Sequence, residues 1–79
     1  MEFEYKRDKG ERHTYRVSLQ ITRDPDDGSL GYVAKVHRGE DYLGELKPIR
    51  LRETDVDEAF AEARAFVVRD IDDLVGIRE

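Results

Sequence analysis

Residues 13–22 read His-Thr-Tyr-Arg-Val-Ser-Leu-Gln-Ile-Thr. His13, Tyr15, Val17, Leu19 and Ile21 alternate with Thr14, Arg16, Ser18, Gln20 and Thr22. A period of two puts the first set on one face of a strand and the second set on the other, which predicts a half-buried strand. The run Tyr-Val-Ala-Lys-Val-His at 32–37 repeats the pattern, with Tyr32, Ala34 and Val36 on one face. The two runs fit each other in one register. Ile21 opposite Tyr32 sets Leu19 against Ala34 and Val17 against Val36, and a slip of one residue would turn every core residue outward. The connection is then Arg23 to Leu30, which holds Asp24-Pro25-Asp26-Asp27-Gly28.

Two more strands are expected around this hairpin. The turn His-Arg-Gly-Glu places Gly39 where a positive φ is useful, and residues 41–51, Asp-Tyr-Leu-Gly-Glu-Leu-Lys-Pro-Ile-Arg-Leu, follow it. Their phase is ambiguous. Tyr42 and Leu46 suggest one face, Leu43 and Ile49 the other, so Gly44 marks a bulge and Pro48 an irregular edge. At the front, Glu2 to Lys6 reads as a short strand with Phe3 and Tyr5 inward. A helix is expected over 56–75. Val56, Phe60, Ala63, Val67, Ile71 and Leu74 recur at steps of four and three, with Thr54 as N-cap and Gly76 as the C-terminal stop. The sequence therefore predicts one α+β domain over residues 1–79. It comprises an antiparallel sheet of three or four strands with one C-terminal helix on one face, in the order β-β-β-β-α. The other sheet face has no helix to cover it.

Composition narrows the function. At 79 residues the chain buries only about 60% of its unfolded surface, so the core is small. It contains no cysteine, which removes disulfides, thiol nucleophiles and thiolate metal sites. No apolar run reads as a signal peptide or a membrane span, and a cytoplasmic protein without membrane contact is the expectation. The net charge of −5 is unevenly placed: residues 1–52 carry 11 Lys/Arg against 10 Asp/Glu, residues 53–79 carry 3 against 9. Overall acidity disfavours non-specific binding to nucleic acid.

The constellations that could carry chemistry resolve into structural readings. A calcium loop begun at Asp24 would need glycine at its sixth position and glutamate at its twelfth; here Ser29 and Lys35 stand there. The aspartates are therefore expected to form a turn. His13 and His37 have opposite parity and should lie on opposite faces, so they form no metal or acid–base pair. Ser18 and Ser29 lack a nucleophile-elbow setting. Asp70, at the edge of the apolar stripe, is expected to pair with an arginine reaching across the sheet edge. No catalytic residue, cofactor or metal site is expected, and the chain reads as a non-enzyme.

The open face carries the remaining functional expectation. Arg16, Ser18, Gln20, Lys35 and His37 form the candidate interaction face, basic to neutral, with Lys47, Arg50 or Arg52 joining from the third strand. An unidentified protein partner or a second copy of the chain is the expected ligand. Binding of nucleic acid is the alternative, disfavoured by the lack of an aromatic that the sequence places on this face.

Gly31, Tyr32, Ala34 and Val36, followed by Thr54 and the Ala59 after Glu58, resemble the core motifs of HicB-type antitoxins across residues 15 to 75. The chain also resembles small uncharacterised bacterial proteins with a β-meander and a helix ending near Ile71 to Leu74. The first resemblance implies a toxin partner and a DNA-binding segment. Against it, residues 38–48 replace that family's Pro-Gly-Cys-like turn, and no DNA-binding segment is expected after Gly76. The second resemblance implies a fold alone.

Overall fold

The computed structural model describes residues 1–46 and 48–77. Four strands, β1 (Glu2–Lys6), β2 (Thr14–Arg23), β3 (Leu30–Arg38) and β4 (Asp41–Leu46), precede one helix, α1 (Val56–Asp72). The strands form a single antiparallel sheet in the order β1-β2-β3-β4, an α+β meander-plus-helix. The central register is the expected one: Ile21 faces Tyr32, Leu19 faces Ala34 and Val17 faces Val36. Tyr15, Val17, Leu19, Leu30, Tyr32, Ala34, Val36 and Leu46 line the core side of the sheet, all buried. From the helix, Ala59, Ala63, Val67 and Ile71 form one fully buried row at steps of four. The helix packs on β2 and β3.

Three boundaries differ from the sequence expectation. β4 ends at Leu46, not Leu51, because Pro48 has no N–H to continue the ladder. Beyond it the chain stays beside β3 without pairing, held where the Leu51 N–H donates to the Leu30 carbonyl at 3.2 Å. The helix N-cap is Asp55, not Thr54. The Asp55 carboxylate accepts from the backbone N–H groups of Asp57 at 2.9 Å and Glu58 at 3.2 Å. Replacing Asp55 by alanine is expected to cost about 1 kcal/mol, and the same change at Thr54 only a few tenths; urea unfolding of the two variants measures the contrast.

The helix also stops earlier, at Asp72 rather than Val75. The left-handed position that closes the helix belongs to Leu74, with φ 53°; Gly76, also at positive φ (82°), lies in the segment beyond it. The Leu74 N–H donates to the Ile71 carbonyl at 3.2 Å and the Val75 N–H to the Asp70 carbonyl at 2.8 Å, the paired bonds of a Schellman cap. Leucine tolerates the strained position because its side chain packs against the core. With the helix shortened, Val75 lies outside it and is exposed, as is Val56 at the start. Gly76 has a different task. A Cβ there would meet the Leu46 side chain at 3.6 Å, so the segment after the helix lies close on β4 and brings Ile77 into the core.

β1 ties the helix end to the sheet. The buried Arg7 guanidinium donates from Nε and Nη2 to the Asp72 carbonyl at 3.1 and 2.8 Å, and from Nη1 to the Lys9 carbonyl at 3.0 Å. A cation on the last helical carbonyl meets the negative end of the helix dipole. Beside it the Tyr5 hydroxyl donates to Asp72 Oδ1 at 2.7 Å. This hydrogen bond, then burial and the charge of Asp72, push the Tyr5 hydroxyl up to about 12 from its usual 10. A raised pKa means stability that is complete below pH 10 and is lost as pH rises toward 12. Tyr5→Phe should therefore lower thermal stability by about 1 kcal/mol at neutral pH. The gap between variant and wild type should close as both are melted from pH 10 to 12.

Candidate interaction face

The sheet face opposite the helix is built by strand alternation. Cross-strand pairing arranges it in rows. Glu4, Arg16, His37 and Tyr42 make one row; Glu2, Ser18, Lys35 and Glu45 make the next; Gln20 stands beside Val33. All five expected residues share this face. Arg16, Ser18, Gln20 and Lys35 are exposed and His37 is half-exposed.

The face is less basic than the sequence suggests. Lys6, Arg16 and Lys35 are balanced by Glu2, Glu4 and Glu45, with the carboxylates on the two outer strands and Arg16 and Lys35 on the inner ones. Neither Arg16 nor Lys35 makes an ion pair among the described residues. Arg50 and Arg52 do not join them, since β4 stops before both. Arg50 sits 3.6 Å from Asp27, and the Arg52 N–H donates to Glu62 Oε1 at 2.8 Å. Lys47 lies outside the described residues.

The bulge expected at Gly44 is present, and it decides where Tyr42 goes. The register shifts between Val36 and His37, so Gly44 faces Val36 while Tyr42 faces His37. Leu46 consequently points inward and Tyr42 outward. Tyr42 is 55% exposed, and its ring centroid lies 5.1 Å from that of His37. An aromatic pair thus stands on the open face beside Arg16. The sequence hid it because the phase of β4 changes within the strand.

The neighbouring turn is a piece of backbone geometry. Asp24 Oδ1 accepts from the Asp26 N–H at 2.8 Å, and Asp27 Oδ1 accepts from the Ser29 N–H at 2.8 Å. The Gly28 N–H donates to the Asp24 carbonyl at 2.9 Å, with Gly28 at φ 73°. Asp24 and Asp27 are turn formers, each holding a local amide, and Asp26 supplies the N–H that Asp24 holds. Hydrogen bonds from Ser29 hold the Asp27 carboxyl below the usual carboxylate range. Among the described residues no three His, Asp or Glu side chains are grouped to hold a metal ion. An open groove of about 490 Å³ runs between the start of β3 and residues 48–50, where the β4 ladder has ended. Its rim mixes Arg23 and Arg50 with Asp24 and Asp27, so it favours neither sign of charge.

The other singled-out residues have structural roles. His13 precedes β2, and its Nε2 lies 2.7 Å from Glu11 Oε2. Asp70 is buried, but its cation is its own neighbour Arg69 at 3.7 Å, not an arginine across the sheet edge. The hydroxyls of Tyr15 and Tyr32 are buried in the core with no hydrogen-bond partner among the described residues. Burial raises the Tyr32 pKa; the Ile49 backbone, outside hydrogen-bonding geometry, acts in the opposite sense. Sequence reasoning missed Glu62, whose Oε1 accepts from both Arg52 and Glu53 N–H groups and pins the loop before the helix. A glutamate at helical spacing gives no signal of such a reach. Among the described residues no helix is long and apolar enough to cross a membrane. Compared with protein-family models, curated proteins and solved structures, the chain matches none.

Proposed function

We propose that this protein is a small non-enzymatic interaction module that docks another protein on the open face of its sheet. One observation carries the reading. Arg16 and Lys35 stand exposed at the centre of an uncovered four-stranded face and make no ion pair among the described residues. Unpaired cations beside the hydrogen-bonding side chains of Ser18 and Gln20 suit an acidic protein surface. The antitoxin-like form of the reading makes that partner a toxin and rests on the Gly31 to Val36 and Thr54 to Ala59 resemblance. A photo-crosslinking residue at Ser18, used in cells, tests the docking. One dominant adduct, lost in the Arg16→Glu/Lys35→Glu double variant, is the expected result. Adducts unchanged by that reversal would count decisively against it.

A second reading, binding of single-stranded nucleic acid, is favoured by the exposed Tyr42–His37 pair beside Arg16. Bases stack on such rings, each worth about 1–3 kcal/mol. Labelled oligo-uridine titrated at low salt should then bind, and Tyr42→Ala should weaken it about tenfold. No binding at low salt, where electrostatics is strongest, ends this reading.

A further inference from the structure

The two edges of the sheet are built differently. β4 carries a bulge, has Gly44 at φ 140°, and runs on toward Pro48, all of which hinder a further strand. β1 pairs with β2 in unbroken register and contains no proline. The odd residues flanking it bond inward: the Leu19 N–H donates to the Met1 carbonyl at 2.7 Å, and the Arg7 N–H to the His13 carbonyl at 3.0 Å. Backbone groups alternate along a strand, so those of Glu2, Glu4 and Lys6 point outward. Among the described residues no strand lies beyond them.

We propose that this edge takes a second copy of itself, two β1 strands pairing antiparallel about a two-fold axis at Glu4. The register sets outward-pointing groups against outward-pointing groups, as hydrogen-bonded pairs require. On the open face, Glu2 of each copy stands opposite Lys6 of the other, giving two ion pairs. Glu4 meets Glu4, a like-charge pair that costs some stability, and the Arg16 across from each offsets it, so the row runs plus, minus, minus, plus. On the core side, Phe3 of each copy faces Tyr5 of the other in the non-hydrogen-bonded positions, where side chains approach most closely. Both rings are only partly buried in a single copy, and pairing covers them.

The rest of the fold permits the contact. Each helix packs mainly on β2 and β3, which sets the two axes roughly 19 Å apart at a strand spacing near 4.8 Å, although its C-terminal end at Asp72 and the Arg64 side chain reach Tyr5 and Phe3 of β1. Helices about 10–12 Å across do not clash at that distance. Other registers are poorer. Sliding one way sets Glu2 against Glu4; sliding the other way pairs Glu4 with Lys6 but leaves only the 4–6 segments in the ladder. The product is an eight-stranded antiparallel sheet with a closed, isologous interface. It uses the sheet's edge and stands independently of docking on the open face.

Sedimentation equilibrium of the full chain over a concentration series tests the pairing. The mass should rise from 9.2 kDa toward twice that value. Lys6→Glu sets like charges opposite each other and should move the midpoint to about tenfold higher concentration or beyond. Adding Glu2→Lys to it exchanges the charges and should restore dimerisation; in the slid register that pairs Glu4 with Lys6 it would not. Glu4→Pro removes an N–H that a single copy does not use, and should leave a monomer with an unchanged far-ultraviolet circular dichroism spectrum. If that variant unfolds, the charge exchange decides alone. A wild type that stays at 9.2 kDa across the whole series, or a dimer indifferent to the Lys6→Glu reversal, overturns the proposal. Lys35→Glu alters the open face and should leave this mass unchanged, so the two readings fail separately.

Discussion

Replacing Arg7 by alanine is expected to remove about 3 kcal/mol of stability, roughly 15 °C in Tm, read by thermal unfolding followed at 222 nm. Three donors of one buried guanidinium hold two backbone carbonyls, and Asp72 ends the helix. Truncation leaves those carbonyls with less satisfaction and the helix end without its counter-charge. A domain of this size has about 4–12 kcal/mol in hand, so the variant stands close to unfolding. Arg7→Lys should recover part of the loss. An ammonium keeps the charge but cannot bridge the two carbonyls with a planar fork. A variant with wild-type Tm would mean that the helix end is held by other contacts.

Ala63→Leu should be nearly as costly, about 2–3 kcal/mol, by overpacking. Ala59 and Ala63 are fully buried, and their small side chains let the first half of the helix approach the sheet. The bulk is supplied from the other side by Tyr15, Leu19 and Tyr32. Three added carbons at Ala63 have nowhere to go, so the helix must lift or the tyrosines must leave their rotamers. Ala61 is the control. It is exposed on the same helix, and leucine there should change stability by no more than about 0.5 kcal/mol. Equal effects at the two positions would refute the close helix–sheet approach.

How far the fold could be read in advance depended on whether the signal was local and periodic. The β2–β3 register was legible because alternating cores from two strands leave one solution. The helix was legible from its stripe. The ends were not. Thr54 and Asp55 are both good caps, and which carboxyl or hydroxyl meets the first amides depends on the incoming loop. Leu74 rather than Gly76 closes the helix because a core contact outweighs the strain of positive φ. Arg7 gave no signal, since its partners are backbone carbonyls, one of them 65 residues away at Asp72. In the candidate face, the β2 and β3 residues followed from parity alone. Tyr42 did not, because the bulge reverses parity inside β4. The arginines after Pro48 were placed on the face by extending a ladder that proline had already ended.

The strand order has a kinetic consequence. Every strand pairs only with its neighbours in sequence, so the sheet can assemble by successive hairpins, each closing a short loop. The contacts from Tyr5 and Arg7 to Asp72 close almost the whole chain, which places them late in folding. Removing them should leave the folding rate nearly unchanged and raise the unfolding rate instead. Stopped-flow chevrons of Tyr5→Phe should show the shift in the unfolding arm. In that sense Asp72 works as a latch: it adds little to how fast the chain finds its shape, and much to how long it stays there.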